Sequence, residues 1–483
     1  MKLLLKFVAG PLAFLVLYFL PYEGPSPELR VALAIFGWVI LWWMTQPVPW
    51  GISSLLPLLM FPAFGLMSIG NTVSFYGQNI FFWIMGTVLM GYAMHRHGLA
   101  KRFALWFLSM KVVSGSTHRL AFGFMLVTGC LSMWVSDAAT VAMMIPVGVS
   151  LVSFVKTVTG TSASEKSNFG AFLALGALYG AVAGGTATIM GIPHNALAVE
   201  LINNYTGRNF GFFDWMKAGI PIFMATLVAF YFILRWFLPP EVSEIPGGQE
   251  FILAEQEKLG PLTAGEKATL FVFLAMIFLF TLPTLIDLTL GPDHQIAQWG
   301  DTALSIWIVP PTVMLLLFST PVNWSKGEFV LTWREAVEHS PWGIMFLCTA
   351  AVAITGALNE FGFQAFAGNL MSGLGLGYYS LPVTSAPLVA LSTNFISGTA
   401  ATTLFGHILI PAAQEIGFNP ASIGMLIANV ALGIMLPWAG AAAGTAFATG
   451  EVDMKNMIRV GAVATIVFSI LVAGIHILLA PYL

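Results

Sequence analysis

Charged side chains are scarce in this sequence. Only 8% of its 483 residues are Asp, Glu, Lys or Arg, whereas 58% are hydrophobic. Soluble domains carry roughly a quarter charged residues, so the composition excludes an ordinary soluble protein and predicts one embedded in a lipid bilayer. The net charge of −3 says little, because in a membrane protein the placement of charges matters more than their sum. We expect no nucleic-acid partner.

Cysteines and catalytic motifs are also few. The two cysteines, Cys130 and Cys348, lie far apart in apolar segments, which argues against a disulfide framework or a cysteine-based metal site. The sequence has no Gly-rich phosphate loop followed by Lys, no nucleophile triad and no cluster of metal ligands. We therefore do not expect an enzyme.

Long apolar runs are abundant. A helix needs roughly 20 apolar residues to cross a bilayer. On this criterion the sequence predicts an all-α membrane protein with about 11 transmembrane helices, near residues 8–22, 29–45, 50–67, 76–94, 168–205, 216–238, 266–288, 302–319, 341–360, 420–450 and 457–481.

The basic residues predict the orientation of these spans. Lys and Arg concentrate in cytoplasmic loops. With a cytoplasmic N-terminus, only Arg30, Arg208 and Lys217 of the 19 basic residues fall outside. We therefore expect a multi-pass protein of the inner (plasma) membrane whose N-terminus is cytoplasmic.

Two further apolar segments, 118–155 and 381–418, are interrupted by short polar runs about 260 residues apart. The runs are SDAAT at 136–140 and SGTAAT at 397–402. The apolar arms on either side are too short to cross a bilayer. We predict two re-entrant hairpins, the first opening to the cytoplasm and the second to the outside.

A Gly-rich break follows each hairpin. One lies at 184–195, within the span 168–205, and the other at 438–445, within the span 420–450. Irregular backbone at membrane depth is tolerated only where it is buried in protein or lines a cavity. Matching breaks in two halves are typical of a secondary transporter with inverted repeats. We divide the chain into halves at 1–238 and 266–483, joined by a polar cytoplasmic linker at 239–265.

Hydroxyl groups recur at the same places in both hairpins. Ser132 and Ser136 lie four residues apart in the first, and Thr393 and Ser397 lie four apart in the second. Hydroxyl and freed carbonyl oxygens coordinate sodium, and the N-termini of half-helices attract anions. The repetition favours a cation site in each half. The alternative is that these hydroxyls bond to carbonyls one turn back.

Asp137 is the most informative single residue. A carboxylate at the centre of a membrane helix costs roughly 2.5–3.5 kcal/mol on insertion scales, so it needs a cation or a proton as partner. Asp is also a good N-cap, and both roles can hold together. His194 and His407 lie near the breaks; each is either a titrating group or a hydrogen-bonded structural residue.

Several motifs together resemble the divalent anion/sodium symporter family over most of the chain. They are WWMTQPVP at 42–49, SSLLP at 53–57, GIPHN at 191–195, NP at 419–420 and MLP at 435–437. The family's hallmark is a Ser-Asn-Thr triplet at each hairpin tip. This chain departs from it at both tips, where Asp137 and Gly398 stand in place of Asn.

The resemblance implies an elevator-type transporter, built as a homodimer and coupled to Na⁺. The substrate is expected to be a small dianion such as succinate, malate, fumarate or sulfate. The implied substrate site comprises Ser136, Asp137, Ala138, Pro193, Asn195, Ser397, Gly398 and Thr399. One implied cation site comprises Ser132, Ser136, Asp137 and Gly191, and a second comprises Thr393, Ser397 and Gly440.

Two other transport functions remain open. Asp137 could carry a proton in proton-coupled or exchange-mode anion transport, in which case uptake would follow pH and ignore sodium. The missing Asn amides also fit a sodium/proton antiporter on a related fold. A membrane scaffold or receptor would leave the duplicated breaks unexplained.

Overall fold

The computed structural model describes residues 2–20, 26–160, 162, 165–208, 210–291, 294–363, 365–366 and 375–483. The end of the first predicted span, residues 21 and 22, lies outside this set. The described chain is mostly helical, with very little strand. Its two short strands, β1 (Pro321–Asn323) and β2 (Glu328–Phe329), pair antiparallel.

The helices of the first half fall into two groups. Those before the first hairpin are α1 (Lys2–Phe19), α2 (Pro27–Thr45), α3 (Trp50–Ser53), α4 (Leu56–Ala63), α5 (Ile69–Tyr76), α6 (Asn79–Arg96), α7 (Leu99–Leu108) and α8 (Lys111–Ser114). The hairpin and the helices after it are α9 (Thr117–Ser132), α10 (Asp137–Thr159), α11 (Asn168–Gly185), α12 (Pro193–Thr206) and α13 (Phe212–Phe237).

The helices of the second half also fall into two groups. Its first group is α14 (Gly248–Glu257), α15 (Ala264–Leu290), α16 (Gln295–Ala303), α17 (Val309–Ser319), a 3₁₀ turn (Trp324–Lys326), α18 (Trp333–His339) and α19 (Trp342–Glu360). The second hairpin and the helices after it are α20 (Ser380–Ser392), α21 (Gly398–Glu415), α22 (Pro420–Val430), α23 (Ala441–Phe447), α24 (Met454–Leu479) and a terminal 3₁₀ turn (Ala480–Tyr482).

Eight helical segments of the described chain are long and apolar enough to cross a membrane. Two predicted spans are shorter as helices. Residues 50–67 form α3 and α4, with Pro57 in the first turn of α4. Helix α17 has 11 residues because Pro310 and Pro311 occupy its first turn, where proline begins a helix and cannot continue one from upstream. The count of eleven spans stays a prediction.

The open ends of the two hairpins lie at opposite ends of the helix bundle. Helix α24 has 26 residues and is therefore about 39 Å long. Just before it begins, Glu451 accepts from Lys156 Nζ at 2.6 Å, at the open end of the first hairpin. Just after it ends, Ala480 O accepts from Asn419 Nδ2 at 2.8 Å, beyond the open end of the second. The tips therefore approach the middle of the bundle from opposite sides.

Each half-helix that follows a break packs against helices of the other half of the chain. Helix α12 packs against α21 and α22, and α23 packs against α10 and α11. A glycine allows the close approach of α11 to α9, since a Cβ on Gly180 would lie 2.5 Å from Met125 O. This packing brings both hairpin tips and both breaks to one place.

The polar stretch 239–265 contains one helix, α14, which packs on α7 and α10. Phe251 stacks on Phe154 of α10 at 4.3 Å between ring centroids, and Ile252 is fully buried. At the end of the stretch, the Arg102 guanidinium of α7 donates to Glu266 Oε1 at 2.6 Å and to Gly260 O at 2.9 Å. The stretch is therefore docked on the bundle rather than folded as a separate unit.

Candidate functional site

A cavity of about 460 Å³ lies where the hairpin tips and the breaks meet. One wall is formed by the starts of α10, α12 and α21 together with residues 431–433 and 438–443 of the second break. Four further lining residues come from outside the hairpins and broken helices: Gln46, Trp50, Ile344 and Leu347. The cavity thus lies between two sets of helices.

Four helix N-termini border the cavity. They begin at Asp137 in α10, Pro193 in α12, Gly398 in α21 and Ala441 in the seven-residue α23. The first backbone N–H groups of a helix have no partner within it, and its N-terminus carries about half a positive charge. None of the described lining residues is Lys or Arg. The site can therefore attract an anion only through helix ends, backbone and neutral donors.

At the tip of the first hairpin, Ser136 is the N-cap residue of α10, but its side chain does not cap the helix. Asp137 is half-buried, and its Oδ1 accepts from the adjacent Ala138 N at 2.7 Å. Among the described residues Asp137 forms no ion pair. Its carboxylate thus faces the cavity beside Ala138 without a cationic side chain as partner.

The tip of the second hairpin is capped differently. Ser397 Oγ accepts from Ala400 N at 3.1 Å, so this hydroxyl is an N-cap of α21. Gly398 and Thr399 also line the cavity, and Thr399 is buried. The second tip therefore presents two hydroxyls and bare backbone, whereas the first presents a carboxylate.

The predicted cation ligands Ser132 and Thr393 are fully buried behind the cavity wall. Ser132 Oγ donates to Ala181 O of α11 at 2.7 Å. Thr393 Oγ1 donates to Ala390 O of its own helix at 2.8 Å, the one-turn pattern that the sequence left open as an alternative. Each hydroxyl uses its proton in this way, and its oxygen lone pairs remain for a cation.

The two glycines predicted as carbonyl ligands differ in their surroundings. A Cβ on Gly191 would lie 2.5 Å from Gly185 O and 2.6 Å from Gly185 Cα, so the first break is tightly folded there. Gly440 lines the cavity, and a Cβ placed on it would meet nothing within 4 Å. Only the first of these positions requires glycine for packing.

Asn195 lies behind the cavity rather than on its wall. It is fully buried, and Nδ2 donates to Gly185 O and Thr188 O, both at 2.9 Å. Its Oδ1 is buried and has no hydrogen-bond partner among the described residues. The side chain therefore holds the first break closed and leaves one acceptor oxygen inside it.

Sequence reasoning missed Asn394, which plays a similar part in the second half. Its Oδ1 accepts from Met435 N at 3.0 Å and its Nδ2 donates to Ala390 O at 3.1 Å. The hairpin is thereby tied to the second break. An amide inside an apolar arm, next to Thr393, was the available signal.

Gln46 is a second residue whose position the sequence did not reveal. It follows α2 with φ of 47°, the one non-Gly residue with positive φ in the described chain, and it lines the cavity. Such a backbone conformation is uncommon outside Gly, Asn and Asp, and it directs the chain from α2 past the site.

The two histidines near the breaks have different environments. His407 is fully buried, with Nδ1 2.9 Å from Tyr205 Oη and Nε2 3.3 Å from Thr355 Oγ1. Both ring nitrogens are thus engaged away from the cavity. His194 lines the cavity, and its Nε2 is buried without a partner in the described chain.

Comparisons with known proteins match the whole chain. The family profile described as "Sodium:sulfate symporter transmembrane region" matches residues 1–482. The chain is 27% identical over 481 residues to the "Sodium-dependent dicarboxylate transporter SdcS" of Staphylococcus aureus strains NCTC 8325 and COL, covering 97% of this chain and 89% of the relative. Its fold resembles the Alcanivorax borkumensis YdaH transporter, with a TM-score of 0.56, 15% identity and coverage of 100% of this chain and 98% of that one.

Proposed function

The chain belongs to the family of the sodium:sulfate symporter transmembrane region, and from this premise we propose a sodium-coupled transporter of small divalent anions, either dicarboxylates such as succinate, malate or fumarate, or sulfate. Membership confirms the family that the motifs predicted and makes the chain a membrane transporter rather than an enzyme. The substrate class follows the names of the family and of the staphylococcal relative.

One observation carries the proposal: four helix N-termini from both halves of the chain border a cavity with no Lys or Arg on its described wall. Backbone N–H groups at helix ends bind carboxylate, sulfate and phosphate oxygens. Hydroxyls of Ser136, Ser397 and Thr399 add donors for the anion. A substrate with two negative groups can be shared between the two hairpin tips.

Charge balance argues for co-bound sodium. The four helix N-termini together offset about 2 of the three negative charges that Asp137 and a dianion bring. At least one cation is needed for the remainder. We assign one to Ser132, Ser136, Asp137 and Gly191, and a second to Thr393, Ser397 and Gly440, with Asn195 Oδ1 as a further oxygen beside the first.

We also propose an elevator movement within a homodimer. The moving unit comprises the two hairpins and two broken helices, and the scaffold comprises the earlier helices of each half. The cavity lies between these two parts, and Trp50, Ile344 and Leu347 make its scaffold wall mostly apolar, with Gln46 as its polar residue. The N-terminus is assigned to the cytoplasm.

The proposal is tested by uptake of labelled succinate and, in parallel, sulfate into liposomes that contain the purified protein. An inward sodium gradient should drive accumulation, and replacement of sodium by choline should abolish it. Ser136→Ala and Ser397→Ala should each reduce uptake, whereas Ser380→Ala, at the far end of α20, should not. Equal uptake with and without sodium would contradict sodium coupling.

A second candidate is proton-coupled anion transport, which the unpaired carboxylate of Asp137 favours. Uptake would then follow an imposed pH gradient without sodium, and Asp137→Asn would remove that dependence. Sodium-dependent proton movement with no anion present would instead indicate a sodium/proton antiporter.

A further inference from the structure

A second cavity lies on the lateral surface of the helix bundle and shares no lining residue with the candidate site. It is a mostly apolar groove of about 580 Å³ between α8, α9 and α13. On α13, Val228 and Phe232 are 41% and 57% exposed, so the groove is open along its outer side. Helix α13 is one of the segments long enough to cross a membrane, and its exposed side therefore faces lipid.

The apolar stripe that each long helix presents to the groove ends in an arginine. Within each stripe the residues are three or four positions apart, the spacing of neighbours on one helix face. The stripe on α9 comprises Arg119, Phe122, Gly123 and Leu126, and the stripe on α13 comprises Val228, Tyr231, Phe232 and, one turn later, Arg235.

The two arginines lie at the same end of the groove. The start of α9 is tied to the chain just after α13, because Thr117 N donates to Ser243 O at 3.0 Å. One turn further along the groove, the rings of Phe122 and Tyr231 contact each other edge to face, with their centroids 5.2 Å apart. The first turn of α9 and the last turn of α13 therefore flank one opening.

Helix α8 forms the third side and adds another cation. A Cβ on Gly123 would lie 2.3 Å from Val113 Cγ1, so glycine at this position lets α8 pack directly on α9. Lys111 begins α8 and is exposed. Among the described residues, Lys111, Arg119 and Arg235 form no ion pair, and none of those lining the groove is acidic. The groove therefore has a basic end that no acidic side chain contacts.

The depth of the basic end is indicated by Trp236, which follows Arg235 and is 84% exposed. Exposed tryptophans of membrane proteins are enriched at the membrane–water interface. The basic end therefore lies at the level of lipid head groups, and the apolar remainder of the groove lies at the depth of acyl chains.

We propose that this groove binds an anionic phospholipid, with its phosphate at Lys111, Arg119 and Arg235 and an acyl chain along the apolar stripes of α9 and α13. Basic residues at the end of a membrane span attract anionic head groups. A zwitterionic lipid is bound less well, because its ammonium group would lie among three cations. The groove is separate from the candidate site, so failure of this inference leaves the proposed function standing, and the converse also holds.

The test uses the full-length protein in phosphatidylcholine liposomes that contain a small fraction of a photoreactive lipid. Two probes carry the same diazirine-bearing acyl chain, one on phosphatidylglycerol and the other on phosphatidylcholine. After illumination, labelled positions are mapped by mass spectrometry of peptides. The phosphatidylglycerol probe should label Val112, Val228 and Phe232, and the phosphatidylcholine probe should label them much less.

The double variant Arg119→Gln/Arg235→Gln removes two of the three cations from exposed positions. Labelling of the groove by the phosphatidylglycerol probe should fall by about 10- to 30-fold, the effect expected of two basic residues near an anionic lipid. The matched control is Lys267→Gln/Lys455→Gln, which removes the same charge from exposed positions outside the groove and should be labelled as wild type is.

Three results would overturn the proposal. The first is equal labelling of the groove by the two probes, which would show no selection for an anionic head group. The second is unchanged labelling in Arg119→Gln/Arg235→Gln. The third is a wild-type dimer that becomes monomeric in this double variant, measured by size-exclusion chromatography with light scattering, because the groove would then be covered by a second copy of the chain.

Discussion

Asp137 determines the charge of the candidate site, because it is the one acidic side chain among the described lining residues. A substrate charge about 5 Å from it would be repelled by about 3 kcal/mol at an effective dielectric constant of 20. A dianion would roughly double this cost. A sodium ion in contact with the carboxylate reverses the sign, so the acid favours anion binding only together with a cation.

Replacement of Asp137 by Asn should therefore weaken sodium binding. A charge pair at about 4 Å is worth about 4 kcal/mol before desolvation is subtracted, so we expect the sodium concentration for half-maximal succinate uptake to rise at least about tenfold. The measurement is uptake against sodium concentration at fixed succinate. Asp453→Asn is the control, because Asp453 is an exposed N-cap of α24 and Asn caps equally well. An unchanged sodium dependence would remove Asp137 from the cation site.

At the scale of residues, the sequence identifies positions better than it identifies partners. The structure places Asp137, Pro193 and the 397–399 tip on the cavity wall, and their individual roles stay predictions. The sequence does not reveal that the Asn195 amide donates to Gly185 O and Thr188 O. Nor does it reveal that His194 is buried with Gly398 packed against its ring. The direction of a side chain at a helix break depends on contacts across the break and has no periodicity.

At the scale of elements, helix ends were predictable where the chain marks them chemically. Three helices begin where polar runs interrupt the apolar ones. The residues that mark these starts are Ser136 and Asp137 for α10, Pro193 for α12 and Ser397 for α21. The α3–α4 region and α17 were less predictable, because hydropathy averages over prolines that break an apolar run into short helices. Helix α14 was missed since its burial depends on Phe154, about 100 residues away.

The two breaks provide a matched pair of glycine substitutions. Gly191→Ala places a methyl group against the backbone of Gly185, which cannot move without opening the first break. We expect this variant to lose most sodium-dependent uptake and to unfold at a temperature several degrees lower. Gly440→Ala meets nothing within 4 Å, and its φ of −175° suits any residue, so folding should be unchanged. Uptake and thermal unfolding of both variants provide the comparison.

Equal tolerance of the two substitutions would show that the first break is not tightly packed in the working protein. Loss of sodium dependence in Gly440→Ala with normal folding would have a different meaning, because it would indicate that a methyl group at this cavity position interferes with the second cation.

At the scale of the whole molecule, the cavity lies between the proposed moving unit and the scaffold, and the proposed elevator movement requires relative motion of the two. The tip of the first hairpin contacts the scaffold closely: a Cβ on Gly91 of α6 would lie 3.6 Å from the Val135 Cβ. Inside the proposed moving unit, a Cβ on Gly148 of α10 would lie 3.8 Å from the Leu173 Cβ of α11. Both separations suit a disulfide, whose Cβ atoms lie about 3.5–4.5 Å apart.

These two pairs provide a direct test of an elevator movement. In a background with Cys130→Ser and Cys348→Ala, the double variant Gly91→Cys/Val135→Cys should cross-link on oxidation, lose nearly all uptake and recover it on reduction, because the bond ties the moving unit to the scaffold. Gly148→Cys/Leu173→Cys should cross-link equally well and continue to transport, because both residues move together.

The extent of cross-linking is measured by thiol labelling, and uptake is measured on the same liposomes. Transport that survives complete cross-linking of the first pair would contradict movement at this contact and would favour local opening of the hairpin tips around a fixed unit.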